Sequence, residues 1–307
     1  MKISTSYLFD RATQQMSSVQ NDLAKTQAQI AARKQVLNPS DAPDQAASIQ
    51  RLKSVIGRQN SYTNTLENVQ SRLDAEDSSL GSASELLIRV KEISVQAANG
   101  TLGTNDRKAL GTELQGLRDQ LLSLANSQDS SGNYLFAGSR VREPAFAVDA
   151  SGYPAYQGDQ TRMNVVVGEQ RTFAINRTGT DAFVRVVRTD ASGVSSGVGF
   201  FQSLDELTTA VNASDVKNIQ RGIGEMDRLL EGVSLARADV GTDMKTVEQQ
   251  TSVVEDTVLS LKTTLSNIED LDYATAITEM KKQMLALEAA QSSFAQISQL
   301  NLFNYLK

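Results

Sequence analysis

The chain contains no histidine and no cysteine, which removes imidazole general bases, thiolate nucleophiles, disulfides and the usual zinc ligand sets together. Most hydrolase chemistry goes with them. Tryptophan is also absent, and aromatic residues make up only 5% of 307 positions. The available core is therefore aliphatic and spread thinly along helices, which favours a rod over a ball. Positive charge is in deficit, with 36 acidic against 30 basic residues and a formal charge of −6. A nucleic-acid partner would need the reverse, a cationic surface to replace phosphate counterions. No run approaches the roughly 20 apolar residues of a spanning helix. Met1 to Leu8 is polar where a secretory leader would carry its apolar segment. Neither membrane insertion nor a cleavable address is expected. The lack of cysteine fits a reducing cytoplasm or an extracellular location without staples, so it does not choose between them.

What is present is unevenly distributed. Nine of the 16 aromatics and nine of the 19 glycines fall between Gly132 and Phe201. Short β-type runs sit in that window: Asn133 to Ala137, Met163 to Val167, Thr172 to Ile175 and Ala182 to Val187. Asp-Ala-Ser-Gly occurs there twice, at Asp149 to Gly152 and at Asp190 to Gly193. A short polar side chain followed by Gly suits a tight turn. The window reads as a small antiparallel β domain, an outward insertion with few contacts across its base.

Outside the window the chain is written in heptads. From Val216 the apolar series runs through Ile219, Ile223, Met226, Leu230, Val233, Val240, Met244, Val247, Val254, Val258, Leu261, Leu265 and Ile268, broken only by Arg237 and Thr251. A seam of that length implies a helix about 80 Å long, packed with coiled-coil geometry. Asp44 to Ala98 carries a matching series, so the two long helices are expected to run antiparallel. Asn99-Gly100 breaks the first of them, Thr104 or Asn105 can cap the next, and leucines from Leu110 to Leu124 continue it. At the ends, one seam runs from Phe9 to Leu37 and stops at Asn38-Pro39-Ser40-Asp41-Ala42-Pro43, where proline biases its predecessor out of the helix. The other runs from Tyr273 to Phe294. The seam slips between Ile268 and Tyr273, which puts both interruptions at one height if the terminal helices pair.

These patterns predict a mainly α protein with a small β domain. Long antiparallel helices form an elongated coiled-coil-like rod, with paired terminal helices and an inserted antiparallel β domain. Residues 1–43 and 269–307 make a terminal assembly domain, 44–132 and 202–268 the rod, and 133–201 the outer β-rich domain.

Motifs for chemistry fail one by one. Gly193-Val194-Ser195-Ser196-Gly197 fits the serine elbow pattern, but without histidine the serine has no standard base. Gly222-Ile223-Gly224 resembles a dinucleotide fingerprint, yet Asp227 stands where the third Gly belongs and no strand precedes it. Asp270, Asp272 and Glu279 lack the glycine of a calcium loop, and carboxylates at a helix start account for them. The sequons at Asn99, Asn176 and Asn212 are expected by chance in such a composition. No catalytic residue, cofactor or metal site is expected.

Two amphipathic helices that pair with each other still leave apolar surface needing neighbours. Candidate assembly residues are Phe9, Met16, Val19, Leu23, Ile30 and Leu37 near one end, and Ile277, Met280, Met284, Leu287, Phe294 and Ile297 near the other. Met280 and Met284 suit either core packing or an adaptable surface. Heterologous contacts between copies close into rings or continue as open helices.

Four segments carry a family resemblance across the whole chain: Ile3-Ser4-Thr5-Ser6, Leu37-Asn38-Pro39-Ser40-Asp41-Ala42-Pro43, Gly132-Asn133-Tyr134-Leu135-Phe136-Ala137-Gly138 and Leu302-Phe303-Asn304-Tyr305-Leu306. In their order and spacing the chain resembles the flagellin superfamily, and within it the hook-associated junction proteins. Ala31-Ala32-Arg33-Lys34-Gln35 and Ala42 depart from that pattern. The resemblance implies a structural adaptor of the bacterial flagellum, exported by the type III pathway with a cytoplasmic chaperone on its C-terminal helix. It would form a ring or helical layer with itself, between another hook-associated protein and flagellin, outside the cell. Filament flagellin is the alternative, and an intracellular coiled-coil scaffold a more distant one.

Overall fold

The computed structural model describes residues 2–150, 152–189 and 195–303, with side chains placed for residues 7, 9–150, 152–189 and 195–296. The chain divides into two compact units. One, the terminal unit, holds Met1–Gln59 with Asp256–Lys307, and the other, the central unit, holds Asn60–Glu255.

The elements in order are α1 (Lys2–Ala32), α2 (Pro43–Ala97), α3 (Thr104–Ala125), β1 (Phe146–Val148), β2 (Pro154–Tyr156), β3 (Asn164–Val166), β4 (Thr172–Ala174), α4 (Gly179–Ala182), β5 (Val186–Thr189), β6 (Ser195–Val198), α5 (Phe200–Asn212), α6 (Val216–Glu269) and α7 (Tyr273–Phe303). The expected long helices are present, 55 residues in α2 and 54 in α6. Pro43 opens α2, where its fixed φ and missing N–H cost nothing.

In the central unit α2 and α6 run antiparallel, tied by Asp77 to Arg237 and by Lys91 to Asp227 at 2.8 and 2.5 Å. Their heptad residues are buried: Leu73, Leu80, Leu87 and Val90 from α2, and Met226, Val233, Val240 and Val247 from α6, none more than 2% exposed. The break in the α6 seam at Arg237 is the guanidinium that reaches Asp77. Helix α3 lies antiparallel to α2. Arg89 pairs with Glu113, and the Ser79 hydroxyl donates to the Leu124 carbonyl at 2.9 Å. The expected side-chain cap at Thr104 or Asn105 is not used. Gly103 is the N-cap, and its N–H donates to the Asp106 carboxylate at 3.2 Å.

Helix α5 was not anticipated, because Phe200 and Phe201 end the aromatic window and read as part of it. It packs on α3, with Phe200, Phe201, Leu204, Leu207 and Val211 buried. Gly222 explains its own presence here. A Cβ at that position would meet Leu207 Cδ1 at 2.7 Å, so glycine lets α5 approach α6 closely, and no nucleotide is needed to account for it.

The β window forms three separate antiparallel ribbons, β1 with β2, β3 with β4 and β5 with β6. Two expected runs changed character. Asn133 to Ala137 makes only isolated bridges, Gln128 to Tyr134 and Ala137 to Thr178. Its main chain is engaged by Arg72, which donates to the Leu135 carbonyl at 2.9 Å. Ala182 ends the single turn of α4, and the strand starts only at Val186. The first Asp-Ala-Ser-Gly makes the expected turn, with Gly152 at φ +85° and its N–H donating to the Asp149 carbonyl. The second lies outside the described residues, as do Gly193 and Val194 of the serine pattern.

The window is not lightly attached. Phe146 packs against Phe183 and Phe201 at centroid distances of 5.5 and 5.2 Å, and Asn126 exchanges two hydrogen bonds with the Phe146 main chain. Arg188 reaches Glu225 and Arg171 reaches Gln250, both on α6. Arg177, 8% exposed, donates to Asp243 at 2.8 Å and to Asp239 at 3.5 Å, and sits 4.0 Å from Glu76. Glu76 is 1% exposed, with Arg72 Nε 3.5 Å away. Burial pushes the Glu76 carboxyl up to about 7, with Arg72 and Arg177 pulling it back and Asp243 adding to the rise. The expectation of few contacts across the base is therefore corrected, because charged side chains of the window are embedded among the long helices.

Candidate assembly interface

The terminal unit is built from α1, the first turns of α2, the last turns of α6, and α7. Helices α1 and α7 pack side by side. Phe9 meets Phe294 at a centroid distance of 4.6 Å, and the Tyr273 hydroxyl donates to the Ile30 carbonyl at 3.4 Å. The two helices therefore run antiparallel.

Their register can be read from the covered positions. On α1 these are Ala12, Met16, Val19, Leu23, Thr26 and Ile30, and on α7 they are Ala276, Met280, Gln283, Leu287, Ala290 and Phe294. Both sets step by four and three, so each is a coiled-coil stripe. Met16, Val19, Leu23, Ile30, Met280, Leu287 and Phe294 fall on these stripes as expected. Each of these seven remains half-buried, because one partner covers only one side of a helix.

The C-terminal seam read from sequence combined two stripes. Ile277 and Met284, with Tyr273, lie beside the covered one and are 38, 51 and 40% exposed. Leu285, which sequence reasoning missed because it lies off the heptad, is 69% exposed. Helix α7 thus carries apolar side chains toward α1 and also outside that contact. Phe9 is itself 40% exposed despite its ring contact. The side chain of Ile297 lies outside the described residues.

Leu37 is half-buried, but in a loop. Helix α1 ends at Ala32, short of the proline segment to which its seam was expected to run. Arg33 takes φ 58°, a left-handed conformation uncommon for a residue with a side chain. Tertiary pairing accounts for the early stop. Lys34 and Asp270 form an antiparallel bridge, Gln35 N–H donates to the Glu269 carbonyl at 2.9 Å, and Leu271 N–H donates to the Arg33 carbonyl at 3.2 Å. The two helical breaks do lie at one height, joined through their main chains.

Glu269 fastens this point. Its Oε1 takes Lys34 Nζ at 2.6 Å and Lys53 Nζ at 2.8 Å. Burial opposes its charge, but the hydrogen bonds from Lys34 and Lys53 outweigh that and hold its carboxyl below the usual range. The same hydrogen bond raises Lys34. Asp272 starts α7 as a cap, accepting from the Thr275 hydroxyl at 2.7 Å and the Ala274 N–H at 3.0 Å. Those hydrogen bonds lower its carboxyl, those from Thr275 first. The Asp270 carboxylate accepts from the Ser266 hydroxyl at 2.5 Å, so the carboxylates at 270 and 272 have local structural partners, whereas Glu279 lies within α7, 3.8 Å from Lys282. Among the described residues no helix is long and apolar enough to cross a membrane.

Comparison with known proteins matches the chain in two helical regions. Residues 3–140 match the bacterial flagellin N-terminal helical region, and residues 223–306 match the bacterial flagellin C-terminal helical region. Flagellar hook-associated protein 3 of Salmonella typhimurium is 29% identical over 99% of each chain. The protein of that name from Escherichia coli is 28% identical over the full length of both. In fold, the crystal structure of Xanthomonas campestris FlgL superposes with a TM-score of 0.62 at 24% identity, covering 71% of this chain and 99% of that one. With both helical regions matched, and relatives aligned from end to end, the chain belongs to the bacterial flagellin family.

Proposed function

We propose that the chain is a structural adaptor of the flagellum, joining another hook-associated protein on the hook side to flagellin on the filament side. The observation that carries this reading is the apolar surface of α7 that α1 leaves uncovered, Ile277 and Met284 along one side and Leu285 on another, while Met280 and Leu287 face α1. Apolar surface of this kind is buried by neighbouring subunits. The full-length relationship to proteins named for association with the hook supports the location. In this reading residues 1–43 and 269–307 form the assembly part, 44–132 and 202–268 the helical part, and 133–201 the outer part. The partners are further copies in one layer, the two flanking flagellar proteins, and a cytoplasmic chaperone on the C-terminal helix before export to the cell exterior. The role is structural.

The test is the double substitution Met284→Asp with Leu285→Asp. Both side chains are exposed in the free chain, so its helical content and melting temperature should stay within the range of surface changes. In an assembled layer two carboxylates would be buried without partners, at a cost of several kcal/mol each. Cells carrying only this variant should show bare hooks by electron microscopy and release flagellin into the medium. Normal filaments on such cells would refute the assignment of this surface. Phe294→Asp is a poorer test, since it would also break the contact with Phe9 within the chain.

A further inference from the structure

The turn between α2 and α3 holds the one Asn-Gly pair of the sequence, Asn99-Gly100. Both residues are exposed. The Asn99 side-chain oxygen accepts two hydrogen bonds from the same residue, from Thr101 N–H at 3.1 Å and from the Thr101 hydroxyl at 3.0 Å. Both contacts draw the carboxamide toward the C-terminal side of Asn99, the side on which the peptide nitrogen of Gly100 follows. Space around Gly100 is open, with nothing within 4 Å of where a Cβ would stand. The adjoining main chain is bound by Arg107, which donates to the Ala97 carbonyl at 3.0 Å and to the Asn99 carbonyl at 2.8 Å.

We propose that Asn99 is a spontaneous modification site, which this turn activates toward conversion to aspartate and isoaspartate. The backbone nitrogen of Gly100 attacks Cγ of Asn99 and gives up its proton to water. A carbon–nitrogen bond forms, the bond to the side-chain nitrogen breaks, and that nitrogen leaves as ammonia after taking a proton. The product is a five-membered succinimide. Water then adds to either ring carbonyl, leaving aspartate with the original linkage or isoaspartate linked through the side chain. No electrons are exchanged with an outside reagent.

Two features make this position differ from the other asparagines. Glycine offers an unhindered nucleophile. The Thr101 N–H and hydroxyl also face the oxygen on which negative charge gathers in the tetrahedral intermediate, the placement that stabilises such charge. Asn176 shows the contrast. It is 5% exposed, its side chain is held by Met163 N–H and the Thr161 carbonyl, and Arg177 follows it.

The aspartate product places a carboxylate beside Arg107 and shortly before the start of α3, where negative charge is favourable. The isoaspartate product adds a methylene to the main chain and draws the residue 99 carbonyl away from Arg107. Conversion therefore alters the corner that joins α2 to α3.

The test uses the full-length protein, incubated in warm buffer at neutral pH and sampled over time by peptide mapping. Electron-transfer fragmentation separates the two acids, and labelling by an isoaspartyl methyltransferase provides a second readout. Asn99 should convert ahead of every other asparagine. Gly100→Ala fits the open space and should remove that lead. Thr101→Val should slow conversion by about fivefold, the factor associated with one neutral hydrogen bond. Conversion of Asn99 no faster than that of the other asparagines would overturn the site. An unchanged rate in Thr101→Val, or equal rates in the folded and the urea-unfolded chain, would overturn activation by the turn.

Discussion

The terminal and central units are written in the same heptad pattern and bury it to different depths. In the central unit Leu80, Val233 and Val240 are wholly covered, because α2 and α6 share that unit with α3, α5 and the β window. In the terminal unit the equivalent positions of α1 and α7 stay half-buried, apart from Thr26 and Ala276. One helix facing one helix shields a single side. The difference teaches that a heptad states where a partner must lie, and leaves open whether the partner belongs to the same chain.

Charge follows the same division. The central unit encloses Glu76 beside Arg72 and Arg177, which also reach Asp129, Asp239 and Asp243, whereas the terminal unit fastens its bridge with Glu269 and two lysines that remain about half exposed. The largest effect is expected from Arg177→Ala. It removes a cation from the buried Glu76 and from the partly exposed Asp243, and should destabilise the central unit by about 3 kcal/mol. Chemical denaturation followed by circular dichroism measures it. A loss below about 1 kcal/mol, as for an exposed pair, would erase the contrast between the units.

Next in size is the pH response. The Glu76 carboxyl is raised from 4.5 to about 7 in the folded chain. Its favourable contribution is thus fully present below 4.5 and is lost as pH rises through about 7. Glu76→Gln does not titrate, so the wild type should lose stability relative to this variant between those two values, by on the order of 3 kcal/mol. Denaturation midpoints of both proteins across that range decide the matter, and parallel curves would show that Glu76 is not carrying the titration.

The smallest effect belongs to Glu269, and its sign is opposite. Its carboxyl is depressed, so its contribution is present above the unfolded value and is lost as pH falls through the folded one. Glu269→Gln should cost less than about 1 kcal/mol at neutral pH. It should also speed amide exchange at Gln35 and Leu271 relative to the central helices, which exchange-detected mass spectrometry can resolve. If the two amides stay equally protected, the bridge stands without its ion pairs.

Periodicity made the long helices legible, because a repeat sustained from Val216 to Ile268 has no other economical reading. The assembly residues were partly legible for the same reason. Met280 and Leu287 fall on the stripe facing α1, whereas Ile277 and Met284 proved to belong to a separate surface. An apolar residue every three or four positions is equally consistent with either side of a helix that is apolar on both. Leu285 was invisible to a heptad count, since it falls outside the repeat. The β window was the least legible part. Its composition marked it correctly, but strand propensity at Asn133 to Ala137 was overridden by the Arg72 side chain holding that main chain. Its attachment was misjudged because Arg171, Arg177 and Arg188 look in sequence like ordinary surface charges. Only the fold sets them against Gln250, Asp243 and Glu225.

The bridge at Lys34 and Asp270 bears on how the terminal unit can deform. Two independent breaks would give α1 and α7 separate pivots, free to swing past each other. Main-chain hydrogen bonds between residues 33 and 271 and between 35 and 269 couple those pivots into one. A force that bends α1 at Arg33 is transmitted to α7 before it can slide their stripes out of register. Flexing there costs backbone torsion, while the apolar contact between the two helices is carried along intact, so the pair behaves as a single lever with one fulcrum.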